Sequence, residues 1–509
     1  MTSLGRYSGV LLPLFSLRSE RDVGVGDFGA VPALLDYLKL AGQKMLMVLP
    51  LLPTAPGDSS PYSTRSAFGL STLFLDLAAL LDEAGDRFTP EEAEKVKAAR
   101  ASATVRYDLV FPVKASVTER CFKHFEAKPT GLQAFEAFCA AEREWLDEWA
   151  LYAVLSEVHG RKAWWDWPRP LAERDEKAIA QAKVTHARAV RFQQWLQWKA
   201  ATQWQAVRDQ AKAKGVWLCG DEPFIIASDS SDGWCFPHLL RRDARLGVPP
   251  DDFSADGQDW GLPWFDFDAM AKDGCAWLKR RARHAAATYD IRRVDHAIGY
   301  FRQYLRDEKT PKGRFIPADE PAQRALGEQN FKLLSEGANI LAEDLGVIPP
   351  FAKETLARLQ LPGYKVMRWA REHGVYEAPS SYPKVSLATT GTHDTEPLKT
   401  WWQTVDAWER EAMTRAFSQL EKFRPTPPAQ FTPEVQEALL RAALESSSDV
   451  CVLPWQDVFG EEERVNLPAS VGEHNWSYRM RPQVESLLSD EGTKATAEWL
   501  QRLTAAANR

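Results

Sequence analysis

Apolar residues in this chain follow two alternating patterns. Short runs rich in Val, Leu, Ile and Met recur at 9–15, 45–52, 215–219 with 224–227, 289–294, 338–342, 364–369, 384–390 and 449–454. Between most of them, apolar residues recur at three- and four-residue spacing, as at 30–41, 269–287, 321–336 and 350–359. The first pattern predicts buried strands and the second predicts amphipathic helices. Strands alternating with helices build parallel βαβ units. About eight such runs fit one closed (β/α)8 barrel better than an open sheet.

The spacing is uneven. Residues ~85–210 carry almost pure helical periodicity, rich in Ala, Glu, Arg and Trp, and predict a helical insertion on a single barrel spanning 1–509. Residues ~228–268 are irregular, with many Asp, Gly, Pro and aromatic residues. Because this stretch follows a strand end, it is expected as a loop insertion over the active face. The segment Arg424-Pro425-Thr426-Pro427-Pro428 reads as a stiff connector, and no internal repeat is visible.

Composition narrows the class. The 509 residues are 45% hydrophobic, and 63 Lys+Arg against 70 Asp+Glu leave a net charge of -7. With no basic patch or long charge run, nucleic acid and anionic membrane are not expected partners. No stretch approaches the ~20 apolar residues of a membrane span. The run Gly9–Phe15 lacks a basic flank and a small-residue cleavage site, so it reads as the first strand and not a signal peptide. The six cysteines include no Cys-x-x-Cys and no zinc-like spacing, as expected of reduced thiols in a cytoplasmic protein. Twenty tryptophans are unusual. Trp195 and Trp198, three apart on a helix, are expected in a core, whereas Trp164, Trp165 and Trp167 read as either core or sugar-stacking surface.

Candidate chemistry sits in three segments far apart in sequence, each following a strand-like run. They are Arg293-Val294-Asp295-His296, Glu343-Asp344-Leu345-Gly346 and Thr392-His393-Asp394. Acids at several strand ends are how a barrel collects a catalytic site on one face, and paired carboxylates point to glycosidic bond chemistry. Arg293 and Asp295, two apart on a strand, share one face, so the cation keeps the carboxylate ionised as a nucleophile requires. The residues alone leave open a purely structural ion pair. Glu343 follows the apolar run Asn339–Ala342, and burial would raise its pKa toward that of a general acid. Asp344 is the better helix cap of the two, which leaves Glu343 for chemistry. Asp394 can hold sugar hydroxyls and stabilise positive charge in an oxocarbenium-like transition state.

Two other motifs are weaker. Gly24-x-Gly26-x-x-Gly29 matches the dinucleotide fingerprint, but eight residues, among them Arg18, Glu20, Arg21 and Asp22, separate it from the strand, and positions 45–52 offer no acid for a ribose. A nucleotide site is not expected. Asp58-Ser59-Ser60-Pro61-Tyr62 is either a simple proline turn or a strand-end loop offering Tyr62 to a sugar.

Taken together, these segments resemble the amylomaltases, the bacterial 4-α-glucanotransferases or disproportionating enzymes. The resemblance runs from Gly24–Gly29, Val48-Leu49-Pro50-Leu51 and Ser60-Pro61-Tyr62 through Gly220-Asp221-Glu222-Pro223, Gly247–Asp251, Gly257–Gly261 and Arg293–His296. It continues through Ala342–Val347, Leu361–Val366, Gly391–Asp394, Gln456-Asp457 and Asn475-Trp476. It implies a TIM barrel with inserted subdomains and no C-terminal β-sandwich. It also implies Asp295 as nucleophile, Glu343 as acid/base and Asp394 as transition-state stabiliser. Asp221, Arg293, His393 and Tyr62 would bind the donor sugar, and Phe253, Gln258 and Trp260 would serve the acceptor side. No metal and no organic cofactor is implied, and the partners would be malto-oligosaccharides and related α-glucans, with the chain a monomer or weak homo-oligomer. The alternatives are a retaining α-glucan hydrolase and a non-catalytic glucan binder. The sequence departs from the family at Asp252 (usually Tyr), Leu262 (Asn), Ala297-Ile298 (Phe-Arg) and Ser71 (Asn), so the acids match while the acceptor side has drifted.

Overall fold

Eight short strands form the centre of the structure, a computed structural model that describes residues 5–250, 257–307, 310–468 and 470–509. In chain order they are β1 (Tyr7–Leu11), β2 (Met45–Met47), β3 (Trp217–Glu222), β4 (Ile291–Val294), β5 (Asn339–Ala342), β6 (Gly363–Val366), β7 (Ser386–Thr389) and β8 (Val450–Pro454). All pair in parallel, in the order β6-β7-β8-β1-β2-β3-β4-β5. The Ala342 N–H donates to the Pro362 carbonyl at 2.8 Å, which joins β5 to the approach of β6 and closes the (β/α)8 barrel. All eight expected runs contain a strand, because a parallel strand buried on both faces must be apolar along its length. Residues 224–227 are the correction: they form bends past the end of β3.

Between β2 and β3 the chain builds an array of helices from Leu77–Ala84 to the long Ala187–Lys214. Its interior is aromatic. Trp195 and Trp198 are buried, with Phe122, Phe125 and Phe135 against them. Trp164 and Trp167 are buried as well, and Trp165 is left exposed beneath the Arg242 guanidinium.

The stretch expected as irregular loop carries more order than its composition suggests. Leu240–Val248 pairs antiparallel with Gln258–Phe265 and with Gln303–Asp307, which in turn pairs with Thr310–Ile316. This four-stranded sheet stands at the β3 and β4 ends of the barrel. The described residues after β8 form helices and turns. The last helix, Glu491–Ala506, returns to the bottom of the barrel, where Arg509 donates to the carbonyls of Tyr7 and Asp449 at 3.1 and 2.9 Å.

The Gly24–Gly29 segment serves packing. A Cβ on Gly26 would lie 1.9 Å from the Leu14 carbonyl, so only glycine lets this loop lie against the end of β1. Among the described residues, no helix is long and apolar enough to cross a membrane.

Candidate active site

The strand ends place the candidate residues on one face of the barrel. In the β3–β4 register Asp221 lies opposite Arg293, so the two side chains project together. The ladder then continues past the strands: the Asp295 N–H donates to Glu222 O at 3.1 Å and the Glu343 N–H to Val294 O at 3.0 Å. Each acid is therefore fixed by its own backbone immediately beyond a barrel strand.

Arg293 is the hub. Its Nη1 donates to both oxygens of Asp221, at 2.7 and 2.8 Å, and to Asp295 Oδ1 at 2.9 Å. Its Nη2 lies 4.0 Å from Glu343 Oε2. One guanidinium thus sets the Asp295 and Glu343 carboxyl groups side by side. Burial works against its charge, and Asp221, then Tyr62 and Asp295, more than offset that, so its proton is held well above the ordinary range.

Among the described residues, Glu343 meets no donor side chain within hydrogen-bond distance. Its Oε2 accepts the His296 N–H at 2.7 Å and its Oε1 the Leu345 N–H at 3.2 Å. Burial pushes its carboxyl from 4.5 up to about 8, with Arg293 opposing and the Asp295 charge adding to the rise. A carboxyl in that state carries its proton at neutral pH. Asp295 is more open, its side chain 25% accessible. The geometry separates a half-buried carboxyl group bonded to a cation from a more deeply buried one that keeps its proton at neutral pH.

On the opposite side of Asp221 stands a second polar group. The Tyr62 hydroxyl bonds Asp221 Oδ2 at 2.7 Å and His393 Nε2 at 2.9 Å, and the Tyr62 and His393 rings stack at 5.4 Å. The segment Asp58–Tyr62 is therefore a strand-end loop whose tyrosine enters the site. His393 Nε2 lies 3.4 Å from Asp394 Oδ2, which brings the third acid to the cluster.

Trp260 and Gln258 reach the site through His296. The Trp260 and His296 rings meet edge to face at 4.8 Å, and Trp260 Nε1 donates to Gln258 Oε1 at 3.2 Å. His296 sits in the left-handed region at φ 45, and burial pushes its imidazole from 6.5 down to about 4, so it is neutral. Phe253 and the departure at Asp252 lie outside the described residues. Ser71, another departure, caps a short helical turn by accepting the Leu73 N–H at 3.3 Å.

One reading is corrected. Asp344 caps no helix: the next helix, Pro350–Arg358, has no side-chain cap, and Asp344 Oδ1 instead accepts the Tyr364 N–H at 2.6 Å across the β5–β6 seam. These two strands form no ladder with each other, and the aspartate supplies the Tyr364 N–H with its acceptor.

Other residues of the site escaped sequence reading. Asn466 Nδ2 donates to Asp394 Oδ1 at 2.6 Å, and Arg464 Nη2 to the Asp394 carbonyl at 2.7 Å. Trp476 closes on Tyr62 and His393, with ring centres 5.6 and 5.9 Å away. Trp476 was visible as half of Asn475-Trp476. Arg464 and Asn466 lie in an aperiodic loop that carries no signal of its own.

Comparison with known proteins places the whole chain in one family. The family model described as 4-alpha-glucanotransferase (Glyco_hydro_77) matches residues 12–485. A 4-alpha-glucanotransferase of Thermus thermophilus is 33% identical, covering 98% of this chain and 100% of its own. One of Streptococcus pneumoniae serotype 4 is 31% identical, covering 98% and 96%. The solved amylomaltase from Streptococcus agalactiae in complex with acarbose superposes with a TM-score of 0.86 at 28% identity, covering 99% of each chain. A barrel whose strand ends carry these acids, matched along nearly its whole length, belongs to the glycoside hydrolase family 77 4-alpha-glucanotransferases.

Proposed function

We propose that this protein transfers α-1,4-glucan segments between malto-oligosaccharides by a retaining double displacement. Asp295 attacks the anomeric carbon while Glu343 gives its proton to the departing glycosidic oxygen. A glycosyl–Asp295 ester forms and the leaving glucan departs with its new hydroxyl. Glu343, now ionised, takes the proton from an incoming sugar hydroxyl, which displaces Asp295 and restores the α-linkage. Asp394 faces the positive charge that builds at the ring, and Asp221, Tyr62, Arg293 and His393 hold the donor sugar. Trp260, Gln258 and Phe253 serve the acceptor.

The observation that carries this reading is the Arg293 guanidinium, which bonds Asp295 and stands 4.0 Å from Glu343, a carboxyl that burial pushes up to about 8. A retaining enzyme needs those groups only ~5–5.5 Å apart, one ionised and one protonated. The names of the relatives and the acarbose bound to the streptococcal enzyme support an α-glucan as substrate. All six cysteines are free thiols, which supports work in a reducing compartment such as the cytoplasm.

Incubation with maltotriose tests the reading. Transfer releases glucose while longer oligomers accumulate. Hydrolysis gives glucose and maltose without elongation, and a binding protein gives neither. Size-exclusion chromatography with light scattering checks the expected monomer or weak homo-oligomer.

A further inference from the structure

The loop that presents His393 and Asp394 is gripped at both ends by two buried groups of opposite charge. Arg368, just past β6, donates from Nε to the Thr390 carbonyl at 3.2 Å and from Nη1 to the Glu396 carbonyl at 3.0 Å. Asp457, in the short helix Trp455–Phe459 after β8, accepts from the Thr390 hydroxyl through Oδ2 and from the Leu398 N–H through Oδ1, the latter at 2.6 Å. Both side chains thus bridge the entry of the loop to its exit, one from each neighbouring strand end. Arg368 is 5% and Asp457 1% exposed, and the Arg368 guanidinium lies 4.9 Å over the Trp401 ring. Inside this clamp the loop is tied to itself: the Thr395 hydroxyl donates to Thr392 O at 2.9 Å and accepts the Thr392 N–H at 3.0 Å. A Cβ on Gly391 would lie 2.5 Å from that hydroxyl and 3.3 Å from Arg368 Nη2, so the loop has little room to shift.

We propose that Arg368 and Asp457 are positioning residues that act through Asp394, fixing the height of its carboxylate against the sugar ring. The proposal rests on the reading of Asp394 as transition-state stabiliser. Among the described residues neither one hydrogen-bonds Asp394, whose carboxyl group meets Asn466 and His393 and whose backbone meets Arg464 and Thr392. Their effect passes through the backbone between Thr390 and Leu398. A loop held only by neutral contacts would sample displaced positions, and electrostatic stabilisation falls steeply with misplacement of the charge. Lysine at position 368 keeps the cation, but its donors all radiate from one nitrogen and lack the spaced, rigid fork with which Nε and Nη1 reach Thr390 and Glu396, so one end of the loop is released.

The test is a mutant cycle on maltotriose disproportionation with Arg368→Lys, Asp457→Asn, Asp394→Asn and the Arg368→Lys/Asp394→Asn pair. Each clamp variant is expected to lower kcat about tenfold to a hundredfold, with KM changed less than about twofold and an unchanged unfolding midpoint. In the Asp394→Asn background, Arg368→Lys is expected to lower kcat by less than about threefold, because the group it positions is gone. The same factor in both backgrounds, or clamp variants with wild-type kcat, overturns the proposal. Asp394→Asn retaining near-wild-type turnover overturns the reading of Asp394 itself and the clamp's purpose with it, which distinguishes the two failures. If Arg368→Lys does not fold, the Asp457→Asn arm carries the same cycle.

Discussion

Glu343 gives a sharp energetic expectation, because the state that suits it to catalysis works against folding. Its carboxyl titrates at about 8 in the folded protein against an ordinary 4.5. Between those two values the folded protein holds a proton that the unfolded chain has released. Native binding of the extra proton means that stability falls as pH rises across this window and is flat on either side of it. At about 1.4 kcal/mol per pH unit the full loss approaches ~5 kcal/mol, a ceiling comparable with a large part of a typical domain's stability. Glu343→Gln removes the titration and keeps the shape. The amide oxygen can still accept the His296 N–H, but the amide nitrogen then faces the Leu345 N–H. That mismatch costs about 1–3 kcal/mol at every pH.

The variant is therefore expected to be less stable than wild type near pH 5 and more stable near pH 9, with the curves crossing between. Urea unfolding followed by tryptophan fluorescence at several pH values measures the difference directly. A constant gap between the two proteins from pH ~5 to ~9 would show that Glu343 titrates normally, and the general-acid assignment would lose its physical basis. The same titration should appear in kinetics. Wild-type kcat/KM is expected to fall as pH rises through about 8, where Glu343 loses the proton the first step needs.

Three further outcomes follow from the site. Asp295→Asn is expected to keep the fold and lose maltotriose turnover by several orders of magnitude, since an amide cannot form the glycosyl ester; more than about a tenth of wild-type turnover would remove Asp295 from the nucleophile role. Arg293→Gln should lower the thermal midpoint as well as activity, because Asp221 loses its cation inside the barrel, and removing one partner of such a buried pair costs about 3–5 kcal/mol. The double change Asp252→Tyr and Leu262→Asn should raise the transfer-to-hydrolysis ratio on maltotriose, since one stacking and one polar contact are worth ~1–2 kcal/mol of acceptor binding; an unchanged ratio would mean the drifted acceptor side is compensated elsewhere.

The parts of this molecule that were legible in sequence are those written in local pattern. Each barrel strand is a short apolar run because both of its faces are buried, and acids just past such runs land on one face for the same reason. The raised Glu343 carboxyl was legible too, because its cause is burial and the preceding Asn339–Ala342 run announces burial. What stayed hidden depends on partners distant in sequence. The antiparallel sheet of Leu240–Val248 pairs with Gln303–Asp307, some sixty positions on, and its alternation is masked by Asp, Gly and Pro. Asp344 was misread because its partner, the Tyr364 N–H, exists only once β5 and β6 close the barrel. Asn466 and Arg464 reach Asp394 from an aperiodic loop, where no periodicity can point.

The division of labour between Asp295 and Glu343 comes down to where one guanidinium points. Both carboxyl groups lie beside Arg293, and proximity to a cation alone would hold both ionised. Nη1 makes its hydrogen bond to Asp295, however, while Nη2 stays 4.0 Å from Glu343. Among the described residues Glu343 then keeps two backbone N–H donors against the cost of burial, and the negative charge of Asp295 beside it raises that cost further. The proton settles on the carboxyl with the weaker partners. Asp221 makes this arrangement stable by holding Nη1 through both of its oxygens, so that the guanidinium cannot swing toward Glu343. On the proposed reading Asp221 has a part beyond any sugar contact: by fixing Arg293 it assigns attack to one carboxyl group and proton donation to the other.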